Sequence, residues 1–171
     1  YSFPMKYHPL YGDYSHGRDY IGKYWNVKYV RSVQAILNCT KGMIGRGTHY
    51  FYKAFGKNEK EYRTLLEMPD TFIIYRFFFE WLDTKSHPLS MSSWVEAMNL
   101  LNNDERDLLF SITHGDGFSS WDGTKTSCER VNSALKFYRN YRDEISKEKG
   151  ELYNLKKEFD LLEKDEIGYI K

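Results

Sequence analysis

Apolar positions recur at helical spacing along most of this chain. In the stretch from Pro69 to Leu82, PDTFIIYRFFFEWL, the residues Ile73, Ile74, Phe77, Phe78, Trp81 and Leu82 share one broad face, and Asp70, Arg76 and Glu80 fall off it. That is the pattern of an amphipathic helix whose apolar side needs cover from other elements. Pro69 suits a first helical position, where its missing N–H would find no partner anyway. The spacing predicts one core helix over 69–82, too short and too charged to span a bilayer.

On either side the period and the end signals predict further short helices. Asn26 is a good N-cap for a helix to about Thr40, stopped at Gly42, with an apolar face of Tyr29, Val30, Val33, Ile36 and Leu37 and a basic face of Lys28, Arg31 and Lys41. A short helix is expected from Thr48 to Phe55. Asn58 and Glu61 stand at capping-box spacing before another, with Tyr62, Leu65, Leu66 and Met68 inward. After a turn around His87 and Pro88, Ser90 or Ser92 caps a helix bearing Trp94, Val95, Met98 and Leu101, and Asn102 or Asn103 caps one bearing Leu108, Leu109 and Ile112. Short helices joined by short turns make a compact bundle.

Two stretches depart from that pattern. In YSFPMKYHPL, Tyr1, Phe3, Met5 and Tyr7 alternate with Ser2, Pro4, Lys6 and His8, the period of a strand, and the two prolines place it at a sheet edge. No second strand follows to pair with it. At the other end Val131, Tyr138, Ile145, Leu152 and Phe159 recur every seventh residue, with Ala134, Tyr141, Leu155 and Leu162 in the companion position, only Glu148 breaking it, and Gly150 weakening the middle as a point where the helix can bend or break. That is a coiled-coil stripe. The expected fold is mainly α: a short-helix bundle over 26–125, preceded by one orphan β-strand and an aromatic loop over 1–25, and followed by a long coiled-coil-like C-terminal helix over 126–171. The strand and loop read as the end of an upstream domain, and a chain that begins at Tyr1, inside a strand and without methionine, reads as a piece of a longer protein.

Charge sharpens this picture. The net +1 of the 171 residues is a cancellation: residues 1–57 carry nine Lys/Arg against Asp13 and Asp19, residues 58–135 seven against thirteen acids, and residues 136–171 nine of each. The basic third also holds nine of the fifteen tyrosines. Such polarity suits an anionic partner, or pairing of the basic and acidic parts. The five Tyr and Trp residues of the loop 11–25 predict that it is packed. Without a signal peptide, a membrane-spanning run or a lipidation motif, a cytoplasmic chain with no membrane contact is expected, and Cys39 and Cys128 read as buried or half-buried free thiols.

Catalytic patterns are sparse. Gly42, Gly45 and Gly47, with Lys41 and Arg46, lead into a helix in the manner of an anion site, but the order is neither a Walker A nor a Rossmann turn, and a plain helix connection accounts for it. His114, Asp116 and Asp122 share a second glycine-rich loop without zinc or EF-hand spacing. No metal site is expected. The five histidines are scattered singly, and no nucleophile–base order or carboxylate pair stands out.

The runs FPMKYHPL and YIGKYWNVKYVRSVQAILNCTKGMIGRG, the aromatic segment ending in AFG, and LLEMPDTFIIYR resemble the region that follows the catalytic barrel in radical SAM proteins. The resemblance covers about residues 1–80. It implies that 1–10 is the last strand of a partial barrel and that the rest is a helical extension on the substrate side, not catalytic alone. S-adenosylmethionine and a [4Fe-4S] cluster would belong to the intact iron-sulfur enzyme and none to this chain, which lacks the C-x-x-x-C-x-x-C motif. Lys6, Tyr7, Tyr24, Trp25, Arg31, Lys41 and Arg46 are then the residues expected to contact cofactor or substrate, and the upstream domain is the first partner. Two alternatives stay open. One is a basic, aromatic-rich helical module binding nucleic acid or another anion over 23–57. The other is a structural domain that forms a homodimer through 131–162.

Overall fold

The structure, a computed structural model, describes residues 9–13, 15–16, 20–39, 48–113, 121 and 123–162. Helices run in the order α1 (Val27–Cys39), α2 (Thr48–Phe55), α3 (Glu59–Glu67), α4 (Asp70–Ile74), α5 (Arg76–Trp81), α6 (Met91–Asn99), α7 (Asn103–Thr113), α8 (Glu129–Leu135), α9 (Arg142–Ser146) and α10 (Glu151–Leu162). The expectation of a mainly helical chain built from short helices holds. No strand occurs among the described residues. The strand expected over 1–10 falls almost wholly outside them.

The chain divides into two compact units at Tyr75. In the first, described from Pro9 to Ile74, α1 packs on α3 and α4, and α2 meets α3. Its core is Ala35, Ile36, Leu37, Leu65, Leu66, Met68, Phe72 and Ile73. The cap expected for α3 is present, with the Glu61 N–H donating to Asn58 Oδ1 at 3.0 Å while the Glu61 carboxylate accepts from the Lys57 N–H at 2.8 Å. Gly56, at φ +80°, closes α2 by donating its N–H to Tyr52 O at 2.8 Å. The positive φ is where glycine carries no Cβ penalty.

The second unit, described from Tyr75 to Leu162, packs α8 against α6 and α7, α5 against α6, and α10 against α5 and α9. Trp94, Phe78, Phe79, Leu82, Leu109, Val131, Leu135, Phe137 and Tyr138 are sealed in it. Ser90 caps α6, and Asn102 with Glu105 forms a reciprocal capping box on α7 at 2.9 Å in both directions.

Two expected helices are broken. The stretch 69–82 stops at Tyr75, whose φ −110° and ψ 34° interrupt the helix between α4 and α5. Phe72 and Ile73 fill the core of the first unit while Phe78, Phe79 and Leu82 fill that of the second. One straight helix would turn its apolar residues to a single face, and a run of aromatic and β-branched residues resists a break only weakly.

The long helix expected over 126–171, with Gly150 as its weak point, is likewise absent from the described residues. A 3-10 turn at Lys136–Tyr138 ends α8, extended backbone at Arg139 and Lys147 flanks α9, and Gly150, at φ 133°, precedes α10. The seven-residue stripe survives these breaks. Val131, Ala134, Tyr138, Tyr141, Ile145, Leu152 and Phe159 are all buried within the second unit itself. A dimer seam built from these side chains would have to empty that core.

Candidate functional site

In the first unit the chain enters α1 through a tight turn, the Trp25 N–H donating to Gly22 O at 2.9 Å. Asn26 then caps the helix, its Oδ1 accepting from the Tyr29 N–H at 2.8 Å. A fixed turn followed at once by a capped helix holds the intervening side chains on a rigid base. Those side chains are uncovered. Tyr24 is 85% exposed and Trp25 45% exposed, and the Lys23 ammonium stands 5.5 Å from the centre of the Tyr24 ring. In the loop expected to be packed, Tyr11, Tyr24 and Trp25 are therefore presented to solvent, while Tyr20 is half-buried.

The face of α1 turned inward is not the one its apolar residues predict. Lys28, Ser32, Ala35, Ile36 and Leu37 are buried, whereas Tyr29, Val30 and Val33 are half-buried. Lys28, expected on a basic surface, lies inside the unit. Its ammonium donates to Ser32 Oγ at 2.7 Å and to Met68 O at 2.6 Å, and pairs with Asp70 Oδ1 at 3.3 Å. Ser32 Oγ passes a hydrogen bond to Leu66 O at 2.7 Å. Three partners suit three ammonium donors. The two carbonyls belong to the junction between α3 and α4, so this cluster fastens α1 to the point where the chain turns. Burial lowers the Lys28 pKa, with the Asp70 and Glu67 carboxylates pulling the other way. Sequence reasoning missed the cluster, although Lys28, Ser32 and Ile36 at successive four-residue steps were its visible trace.

Of the residues expected to contact a ligand, the structure brings Tyr24 and Trp25 together on the turn. Arg31 lies on α1, half-buried, with its guanidinium 3.4 Å from Gln34 Oε1. Lys6, Tyr7, Lys41 and Arg46 lie outside the described residues, as do His114, Asp116 and Asp122. Among the described residues, α2 adds Phe51 and Tyr52, 42% and 40% exposed, with the Phe51 and Phe55 ring centres 5.1 Å apart. Among the described residues, every aromatic side chain in the large, strongly exposed apolar set belongs to the first unit, together with the aliphatic Leu10 and Val27, and those of the second, Val95, Leu100, Leu108 and Leu161, are aliphatic.

The thiols stand apart by unit. Cys39 is exposed rather than buried, and Cys128 is half-buried with Sγ 3.4 Å from Glu105 Oε1, which also pairs with Arg130 at 2.7 Å. The described residues hold no group of three or more His, Cys, Asp and Glu side chains able to hold a metal. A [4Fe-4S] cluster bound by three thiolates does not fit a chain with two cysteines in all. None of the described helices is long and apolar enough to cross a membrane. No family model, no curated protein and no solved structure matches the chain.

Proposed function

We propose that this chain is the C-terminal, substrate-side part of a radical SAM enzyme and is not catalytic by itself. The uncovered rings of the first unit are the observation that carries the reading. Tyr11, Tyr24, Trp25, Phe51 and Tyr52 are exposed, and all but Tyr11 lie in the stretches that resemble the region following a radical SAM barrel. Rings of this size left in water are what a surface carries when it meets something else. In this reading the upstream barrel brings the cluster and S-adenosylmethionine, and Tyr24, Trp25 and Arg31 face the substrate.

The test is anaerobic expression of the longest reading frame that contains this chain. The expected result is a three-cysteine motif upstream, bound iron and sulfide, and formation of 5′-deoxyadenosine from S-adenosylmethionine on reduction. A product without that motif and without iron overturns the proposal.

A further inference from the structure

We infer that the Gly22–Trp25 turn is a binding site for single-stranded nucleic acid, with Tyr24 and Trp25 stacking on unpaired bases and Lys23 meeting the phosphates beside them. The inference names a substrate class for the substrate side proposed above and rests on that reading only for its place in the enzyme.

Three observations carry it. The first is geometric. Lys23, Tyr24 and Trp25 are consecutive and exposed, and the turn bond from Trp25 to Gly22 and the Asn26 cap fix their backbone. A base stacking here orders little that is not already ordered, and ring stacking on nucleobases is tolerant of sequence. The second is electrostatic. From Tyr20 to Asn58 the sequence has no Asp or Glu, while Lys23, Lys28, Arg31, Lys41, Arg46, Lys53 and Lys57 lie within it. No carboxylate of this stretch competes with a phosphate for Lys23. Lys28 is withdrawn from that set by its buried pairing with Asp70, so the cation at the turn itself is Lys23. The third is the contrast between units. Among the described residues the second unit exposes only aliphatic large apolar side chains, whereas the first, besides Leu10 and Val27, exposes aromatic rings, and at the turn the Lys23 ammonium stands beside the Tyr24 ring. Rings next to ammonium groups match a partner that alternates π-faces with negative charge. A duplex hides its base faces, which leaves the single strand.

The test is fluorescence anisotropy of labelled oligouridylate and oligothymidylate with the full chain over a salt series, with duplex DNA and heparin as controls. Single strands are expected to bind, with affinity falling as salt rises. Tyr24→Ala and Trp25→Ala are each expected to weaken binding about tenfold, Tyr24→Phe to restore it, and Lys23→Gln to reduce the salt slope by about one. A preference between the two oligonucleotides separates RNA from DNA as the source. Absence of binding at low salt overturns the inference. Equal binding of heparin and duplex with no effect of the ring variants also overturns it, leaving charge alone. Because the titration needs neither iron nor S-adenosylmethionine, binding without radical chemistry in the longer protein would sink the enzyme reading and keep the site. Radical chemistry without binding would do the reverse.

Discussion

Lys28 Nζ lies 3.3 Å from Asp70 Oδ1 with both side chains sealed from solvent, and Asp70 Oδ2 has no hydrogen-bond partner among the described residues. A buried pair of this kind is a stronger constraint on which structure forms than on how stable it is, because each ion loses its hydration in order to meet the other. Removing one partner strands the other. Asp70→Ala is expected to destabilise the first unit by about 3–5 kcal/mol. Lys28→Met combined with Asp70→Leu should recover much of that loss. Hydrogen exchange of the α1 amides, measured for Asp70→Ala and for the double variant, checks the ordering.

The same lysine gives the first unit a pH dependence of known sign. Its pKa in the folded chain is below the ordinary 10.5 because burial disfavours the charged form. Between the folded and unfolded values the unfolded chain binds more protons, so stability rises with pH up to about 10.5 and falls as pH drops through the folded value. Tyr62, whose pKa burial raises, acts oppositely, losing stability as pH climbs past its ordinary 10.0. The difference in unfolding free energy between the wild type and Lys28→Met isolates the lysine. It should shift toward the wild type as pH is raised toward the ordinary 10.5.

Gly56 and Gly150 both sit at positive φ, but their surroundings differ. A Cβ on Gly56 would come 2.8 Å from both Glu61 Cβ and Tyr62 N, whereas one on Gly150 would meet nothing within 4 Å. Gly150→Ala is expected to cost about 1 kcal/mol for its backbone alone. Gly56→Ala adds a clash with the backbone of α3 and should cost clearly more. Urea midpoints of the two variants decide it, and equal losses would mean that α3 gives way freely.

Two neighbours on α10 should differ by several fold in their effect. Phe159 is buried against Phe78 and Trp81, with ring centres 5.9 and 5.7 Å away, and Phe159→Ala is expected to cost about 3–5 kcal/mol. Glu158 pairs with Lys85 at 2.5 Å in solvent, and Glu158→Gln should cost about 1 kcal/mol or less. Thermal unfolding of the second unit checks both.

Asn102 and Glu105 cap α7 reciprocally, so Asn102→Ala should cost about 1 kcal/mol. The hydrogen bond from the Asn102 N–H, helped by Cys128 and Arg130, holds the Glu105 carboxyl below its ordinary pKa against the opposing desolvation. The stability it lends is present above the ordinary value of 4.5 and is lost as pH falls through the lower folded one. A Glu105→Gln variant, which keeps the length of the side chain and removes the titrating group, should therefore show a flatter acid limb.

What could be read from the sequence was local. Asn26 and Asn58 cap the helices they were expected to cap, and of the two candidates offered for each of the next helices Ser90 and Asn102 are the caps, because a cap depends on three or four adjacent residues. The failures were decisions between distant partners. Tyr75 breaks its helix because residues on either side serve different cores, which no local pattern records. The stripe from Val131 to Phe159 kept its inward orientation but not its continuity: the break at Gly150 was legible, whereas Arg139 and Lys147 stop the helix where the rest of the unit needs a corner. Lys28 was placed on the wrong face for a similar reason. A lysine four residues before a serine reads as a solvated edge until Asp70, forty-two positions away, supplies the counter-charge. Of the candidate site, the rings of the turn and their cation were legible, and their exposure was not.

The enclosure of Lys28 also makes it a chemical clock. Acylating reagents modify lysines only as free amines in contact with water, so the exposed Lys23 and Lys57 should label at once while Lys28 waits for the first unit to open. Its labelling rate, read by peptide mass spectrometry, reports the opening of that unit without any engineered probe.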